Sequence, residues 1–119
     1  MNNKIYKGNA KGSGKLSGGW FLAHFIEEHD LLKSSKIELK FGEHFEGDKC
    51  DWKSSYEGST ISILIKGEFL ISFNTSNHIE HITLEKEGDF VIWDNLVHHK
   101  WKSVKDSTIL TVRWPSLKQ

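Results

Sequence analysis

Seven histidines, one cysteine and a single arginine carry most of the chemistry open to this 119-residue chain. His98 and His99 are adjacent, and neighbours on a strand point to opposite faces, so the pair cannot chelate one ion there. His78 and His81 have the wrong spacing for shared ligation on a strand. Together with His29 and His44 they fall in loops or on outer faces and read as solvated. His24 shares a strand face with Trp20 and Leu22, where it is either a rim or core histidine or a second imidazole beside His99. Arg113 stands alone against fifteen lysines and shares a face with Ile109 and Thr111. A guanidinium among apolar neighbours needs a partner, either an internal carboxylate such as Asp94 or Glu57 or an anionic ligand. Of five tryptophans, Trp93, Trp101 and Trp114, with Trp52, could line a cavity for a planar or sugar-like ligand, or equally pack a core or a dimer seam. Cys50 lies between Lys49 and Asp51 with no neighbouring base, which argues against a nucleophile. The run Lys11-Gly-Ser-Gly-Lys15 lacks the earlier glycine, the following Ser or Thr and the helix of a phosphate loop.

The elements that must position these groups read as strands. Residues 1–19 are polar and glycine-rich, a flexible or draped arm, and residues 20–119 form one domain. The spacing predicts strands over Trp20 to Ile26, Lys36 to Phe41, Thr60 to Ile65, Glu68 to Phe73, Ile79 to Leu84, Phe90 to Trp93, His98 to Val104 and Thr108 to Trp114. Within the second, Ile37, Leu39 and Phe41 alternate with Lys36, Glu38 and Lys40. Turns fall at Lys66-Gly67, Asn74 to Asn77 and Glu87-Gly88-Asp89, while Gly42 to Gly58 reads as long, polar and partly extended. Asp30 opens at most one helical turn. About eight strands at ~8–12-residue spacing predict an all-β sandwich or barrel of jelly-roll type with minor helix.

Composition narrows the functions. Sixteen basic residues balance sixteen acidic ones, so no basic face argues for nucleic acid or for an anionic membrane surface. No apolar run is long enough to span a bilayer, and the N-terminal residues lack the apolar stretch of a secretion signal. One cysteine forms no internal disulfide, and a cytoplasmic location is the expectation.

The hairpin Thr60-Ile-Ser-Ile-Leu-Ile-Lys-Gly67-Glu-Phe-Leu-Ile-Ser-Phe73 and the stretch Glu87-Gly88-Asp89-Phe-Val-Ile-Trp93 through His98-His99 resemble the cupin superfamily. The resemblance covers roughly residues 35 to 114 and implies a cupin-type jelly-roll barrel. Its first motif, G-x5-H-x-H-x(3,4)-E-x6-G, fits between Gly47 and Gly67, and its second, G-x5-P-x-G-x2-H, runs from Gly88 to His99. The departures fall on the ligands: the two first-motif histidines are Lys53 and Ser55, the glutamate is Thr60, and the second-motif proline and glycine are Asp94 and Leu96. Sliding by one residue brings Ser54 and Tyr56 instead. Of four family metal ligands only His99 remains, and one imidazole does not hold a divalent ion. A narrower resemblance links Gly19-Trp20-Phe21-Leu22-Ala23-His24-Phe25 and Val112-Arg113-Trp114-Pro115-Ser116 to a group of small single-domain cupins.

The resemblance implies that His99 projects into the barrel with Trp101 on its face, and that the hydroxyls of Tyr56 and Thr60 face the pocket. The reading that follows is a small cupin-like protein binding a small organic molecule, with Tyr56, Thr60, Trp93, Trp101, Arg113 and His24 around it. If it is an enzyme, His99 is the general acid or base of a metal-independent isomerase, epimerase or lyase. The alternatives are a non-catalytic sensor or binding module and a metal-dependent protein with an atypical His24/His99 site. No cofactor is expected, with a divalent metal kept open by that last alternative. Apolar outer faces such as Ile61, Ile63 and Ile65 point to a homodimer.

Overall fold

The structure, a computed structural model, describes residues 4–54, 57–94 and 97–116. Among the described residues there are nine strands: β1 (Trp20–Leu22), β2 (Glu38–His44), β3 (Lys49–Lys53), β4 (Ser59–Lys66), β5 (Phe69–Thr75), β6 (His78–Leu84), β7 (Phe90–Trp93), β8 (His98–Ser103) and β9 (Ser107–Trp114). They form two antiparallel sheets, ordered β1-β2-β9-β4-β7 and β3-β8-β5-β6. The architecture is an all-β jelly roll. Two 3₁₀ turns and the four-residue helix α1 (Ala10–Ser13) are its other regular elements among the described residues.

Three boundaries differ from the sequence expectation. β1 stops at Leu22, because Ala23 turns away to bridge Lys33 and takes a hydrogen bond from Ser34 N–H at 3.1 Å. β2 runs on to His44, through a glycine that weakens the strand signal. β3 was legible only as extended chain. It is an edge strand with a bulge between Cys50 and Lys53, and its alternating exposure is carried by polar residues.

The alternation of β2 is inverted relative to the usual rule that the apolar face turns inward. Glu38 is 2% exposed and faces the interior with Lys40, while Leu39 and Phe41 face out. The same holds across the sheet. In β4, Thr60, Ser62 and Leu64 are buried inside, and Ile61, Ile63 and Ile65 lie on the outer surface. Register aligns the outer residues in two rows, Phe41–Leu110–Ile63–Phe90 and Leu39–Val112–Ile61–Ile92.

Between the sheets, Leu64, Phe69, Ile71, Phe73, Leu84 and Ile109 form the buried core. It closes where the β4–β5 turn docks on the β8–β9 turn. Gly67 sits there at φ 103, and a Cβ on it would lie 2.4 Å from the Asp106 carbonyl oxygen, so only glycine fits. Ser107 Oγ pins the two turns, accepting from Glu68 N–H at 3.1 Å and lying 2.8 Å from the Lys105 carbonyl.

Candidate functional site

The opposite end of the interior is polar. Register stacks its inner residues in layers: Glu38, Arg113, Thr60 and Trp93 across one sheet, then Lys40, Thr111 and Ser62. From the facing sheet come Lys53, His99 and Phe73, cross-strand neighbours on β3, β8 and β5. Between them lies a cavity of about 60 Å³, lined by Lys40, His44, Lys53, Thr60, Ser62, Trp93, His99, Trp101, Thr111 and Arg113 with the core residues Phe69, Ile71 and Ile109 beneath. A water needs roughly a quarter of that space, so the enclosed part suits a group of a few heavy atoms rather than a whole drug-sized molecule.

His99 is 6% exposed and packs on Trp93 with ring centroids 5.1 Å apart. Its Nδ1 lies 3.3 Å from the Val97 carbonyl, which can only accept, so Nδ1 carries the hydrogen and Nε2 holds the lone pair. Burial holds its pKa below the ordinary histidine value. The Val97 hydrogen bond opposes this, and the charges of Lys53 and Arg113 reinforce it. At neutral pH the ring is a neutral acceptor.

His44 is a second cavity imidazole, where the sequence reading put a solvated one. Its ring packs, tilted, against both Trp101, at 4.5 Å, and Phe69, at 5.4 Å. Burial and the neighbouring Lys40 lower its pKa, with Asp48 opposing. Gly42 makes room for it: a Cβ there would meet His44 Nε2 at 3.0 Å. The signal was available in the pattern, since Glu38, Lys40, Gly42 and His44 share strand parity once β2 is extended past Phe41.

Arg113 finds its internal carboxylate in Glu38, at 3.5 Å, rather than in Asp94 or Glu57. Asp94 instead accepts from Ser59 Oγ at 3.2 Å. Glu38 is held from behind by Ser116, whose hydroxyl donates to Oε2 at 2.8 Å. Ser116 Oγ in turn accepts from the His24 backbone N–H at 3.0 Å and lies 2.6 Å from His24 Nδ1. With its one hydrogen given to Glu38, the serine accepts from Nδ1–H as well. His24 therefore does not line the cavity. It ends a chain, His24–Ser116–Glu38–Arg113, that fixes the guanidinium. Trp20 completes the clamp, with Arg113 4.8 Å and Lys40 5.7 Å from its ring centroid. The Trp20–His24 and Arg113–Ser116 segments thus form one cluster.

Of the site residues expected from sequence, His99, Thr60, Trp93, Trp101 and Arg113 meet in the cavity. Tyr56 lies outside the described residues, as does Ser55. Trp52 stacks under Lys100 at 5.0 Å, and Trp114 is 38% exposed, so neither lines the cavity. Lys40, His44, Ser62 and Thr111 are members that sequence reasoning missed, and Lys53 was read only as a lost ligand position.

The donor set does not fit a divalent metal ion. Lys40, Lys53 and Arg113 repel one, the carboxylate of Glu38 is committed to Arg113 and Ser116, and the second imidazole of the expected pair, His24, is committed to Ser116. Among the described residues no group of three His, Cys, Asp or Glu side chains could hold a metal. A larger hollow, about 340 Å³, lies over the outer face of the four-stranded sheet, where Ser72 Oγ and His81 Nδ1 are 2.7 Å apart. Ser72 is 2% exposed, and its hydroxyl tethers His81 across β5 and β6 rather than presenting a nucleophile.

No family model and no curated protein matches the sequence. Solved structures do match the fold. A cupin superfamily protein from Desulfitobacterium hafniense is similar at 19% identity and a TM-score of 0.61, over 79% of this chain and 87% of that one. A conserved protein of unknown function from Streptococcus pyogenes gives 15% and 0.61, over 74% and 72%. The cupin domain of CENP-C from Drosophila melanogaster gives 14% and 0.56, over 74% and 64%. At these identities the likeness concerns architecture, and it shows that this chain has a cupin fold.

Proposed function

We propose that this cupin-like chain binds a small organic molecule between its sheets and that His99 is the group that exchanges a proton with it. One observation carries the reading: a buried, neutral imidazole with its Nδ1 turned to the Val97 carbonyl lines a cavity walled by Trp93, Trp101, Thr60 and Arg113. Tyr56 is proposed as a further hydroxyl of the same pocket, and the chemistry is isomerisation, epimerisation or elimination without a metal. His24 acts at one remove, by holding Arg113. Thermal-shift screening against a library of small organic acids, sugars and amides tests this. Compounds that stabilise the wild type and lose their effect in His99→Asn and Trp93→Ala support it, and compounds equally effective on both variants overturn it.

A second reading, a binding module without turnover, is favoured by what orients His99. A backbone carbonyl does so, where catalytic histidines are commonly held by a carboxylate. Incubating a bound compound in D₂O separates the two: deuterium uptake at carbon that His99→Asn abolishes marks catalysis, and none marks a module.

We further propose a homodimer through the outer face of the five-stranded sheet. Its two apolar rows leave Phe90 59% and Ile92 52% exposed, and a sheet face of this kind is self-complementary about a two-fold axis. Sedimentation at dimer mass that Ile63→Lys reduces to monomer supports it, and monomer mass for the wild type overturns it. Among the described residues no helix is long and apolar enough to cross a membrane. The free Cys50 fits the reducing cytoplasm, where we place the protein.

A further inference from the structure

We infer that the ligand of this cavity is an anion, and that Lys40, Lys53 and Arg113 receive its oxyanion head group. The inference rests on the reading of the cavity as a ligand site and names the class of molecule it takes.

Charge is the first ground. Three basic side chains, Lys40, Lys53 and Arg113, line a space of about 60 Å³. They are close enough to feel one another: Lys40 is opposed by Arg113 and Lys53, and His99 by Lys53 and Arg113. Among the described residues the carboxylate of Glu38 pairs with Arg113. Neither Lys40 nor Lys53 forms a salt bridge among the described residues. Both cavity imidazoles are neutral, and Lys40 meets the ring of Trp20 rather than a carboxylate. Lys53 is exposed on its edge strand, whereas most of the Lys40 side chain is withdrawn from water, and a desolvated cation beside others of its sign costs folding energy unless a bound anion compensates it.

Shape is the second. The enclosed volume matches a head group of a few atoms. Hydroxyl donors stand beside the cations, with Thr60 and Ser62 on β4 and Thr111 on β9, and Ser62 Oγ lies 3.3 Å from Thr111 Oγ1. These groups together offer what an oxyanion accepts: charge-assisted N–H donors and neutral O–H donors lining one small space. The indole of Trp93 and the imidazole of His99 pack together in the same lining, which leaves the organic part of the ligand beside the proton acceptor. A carboxylate and a phosphate monoester share this chemistry.

The experiment compares acids with their isosteric neutral amides at constant ionic strength: acetate, glycolate and pyruvate against acetamide, glycolamide and pyruvamide, with methyl phosphate as the other oxyanion. Isothermal calorimetry and thermal shift read binding to the wild type and to Lys40→Met and Lys53→Met. The expected result is binding of one or more acids, at least tenfold tighter than the matching amide and weakened at least tenfold in each variant. Preference for the carboxylates or for methyl phosphate then identifies the head group. Each variant, having lost a cation from among cations, should unfold at a temperature no lower than the wild type, so lost binding cannot be ascribed to lost folding. Amides that bind as well as acids, or methionine variants that bind acids as well as the wild type, overturn the anion assignment and leave the cavity a ligand site. Failure of every acid and amide, while neutral compounds from the wider screen bind in a Trp93-dependent way, also overturns it. Failure of the wider screen as well removes both readings.

Discussion

Thr60 and Leu64 lie four residues apart on the same inner face of β4, both nearly without solvent exposure, yet they belong to opposite regimes. Around Leu64 the interior is closed by Phe69, Leu84 and Ile109 and sealed by the Gly67 turn. Around Thr60 the same two sheets enclose Arg113, Lys53, His99 and Trp93. One end is arranged for packing, and the other holds charge that packing alone would not tolerate. A single strand therefore carries stability at one end and the candidate chemistry at the other, and changes to the two ends should be separable by experiment.

The largest effect is expected at the closed end. Leu64→Ala deletes a side chain with 0% exposure and should cost about 3–4 kcal/mol of unfolding free energy in a urea titration. It should leave cavity binding intact wherever the protein remains folded. Glu38→Ala tests the open end. It removes the carboxylate that faces the half-buried Arg113 guanidinium and the acceptor of Ser116, for about 3 kcal/mol. A loss under about 0.5 kcal/mol would show that the chain from His24 to Arg113 carries little.

Acid should weaken the open end before the closed one. His44 and His99 have lowered pKa values in the fold, so the unfolded chain binds more protons. Their contribution is fully present above the unfolded value of about 6.5 and is lost as pH falls through the depressed folded values. Stability measured between pH 7 and 5 should decline, and His44→Gln with His99→Gln should flatten that decline. An unchanged slope in the double variant would place the two rings in water. The smallest effect is expected from Gly42→Ala, about 1 kcal/mol or less, because the His44 ring need shift only a few tenths of an ångström. Its sign would show how firmly Trp101 and Phe69 hold that ring.

The fold was largely legible, because alternating β-branched residues in Thr60 to Ile65 and glycine turns at Gly67 and Gly88 act locally. The site was legible in part. His99 and Thr60 followed from motif spacing and Trp93 from the tryptophans read as a possible cavity lining, whereas Lys40 and His44 did not follow, for a physical reason. Charged residues are read as outward-facing by default, and β2 reverses that rule because its apolar face belongs to the outer rows of the sheet. The partner of Arg113 was equally hidden. Glu38 faces it on the neighbouring strand, 75 positions away in sequence, and no local pattern announces such a pairing.

The serine that steadies Glu38 meets a histidine 92 positions upstream. The guanidinium is therefore anchored by the most widely separated stretches of the polypeptide, and it reaches its final orientation only after both have arrived. Loosening either stretch would release the arginine while the hydrophobic half stays intact. Occupancy of the proposed site should thus report on completion of the entire fold, and a partly opened molecule would lose that binding long before it came apart.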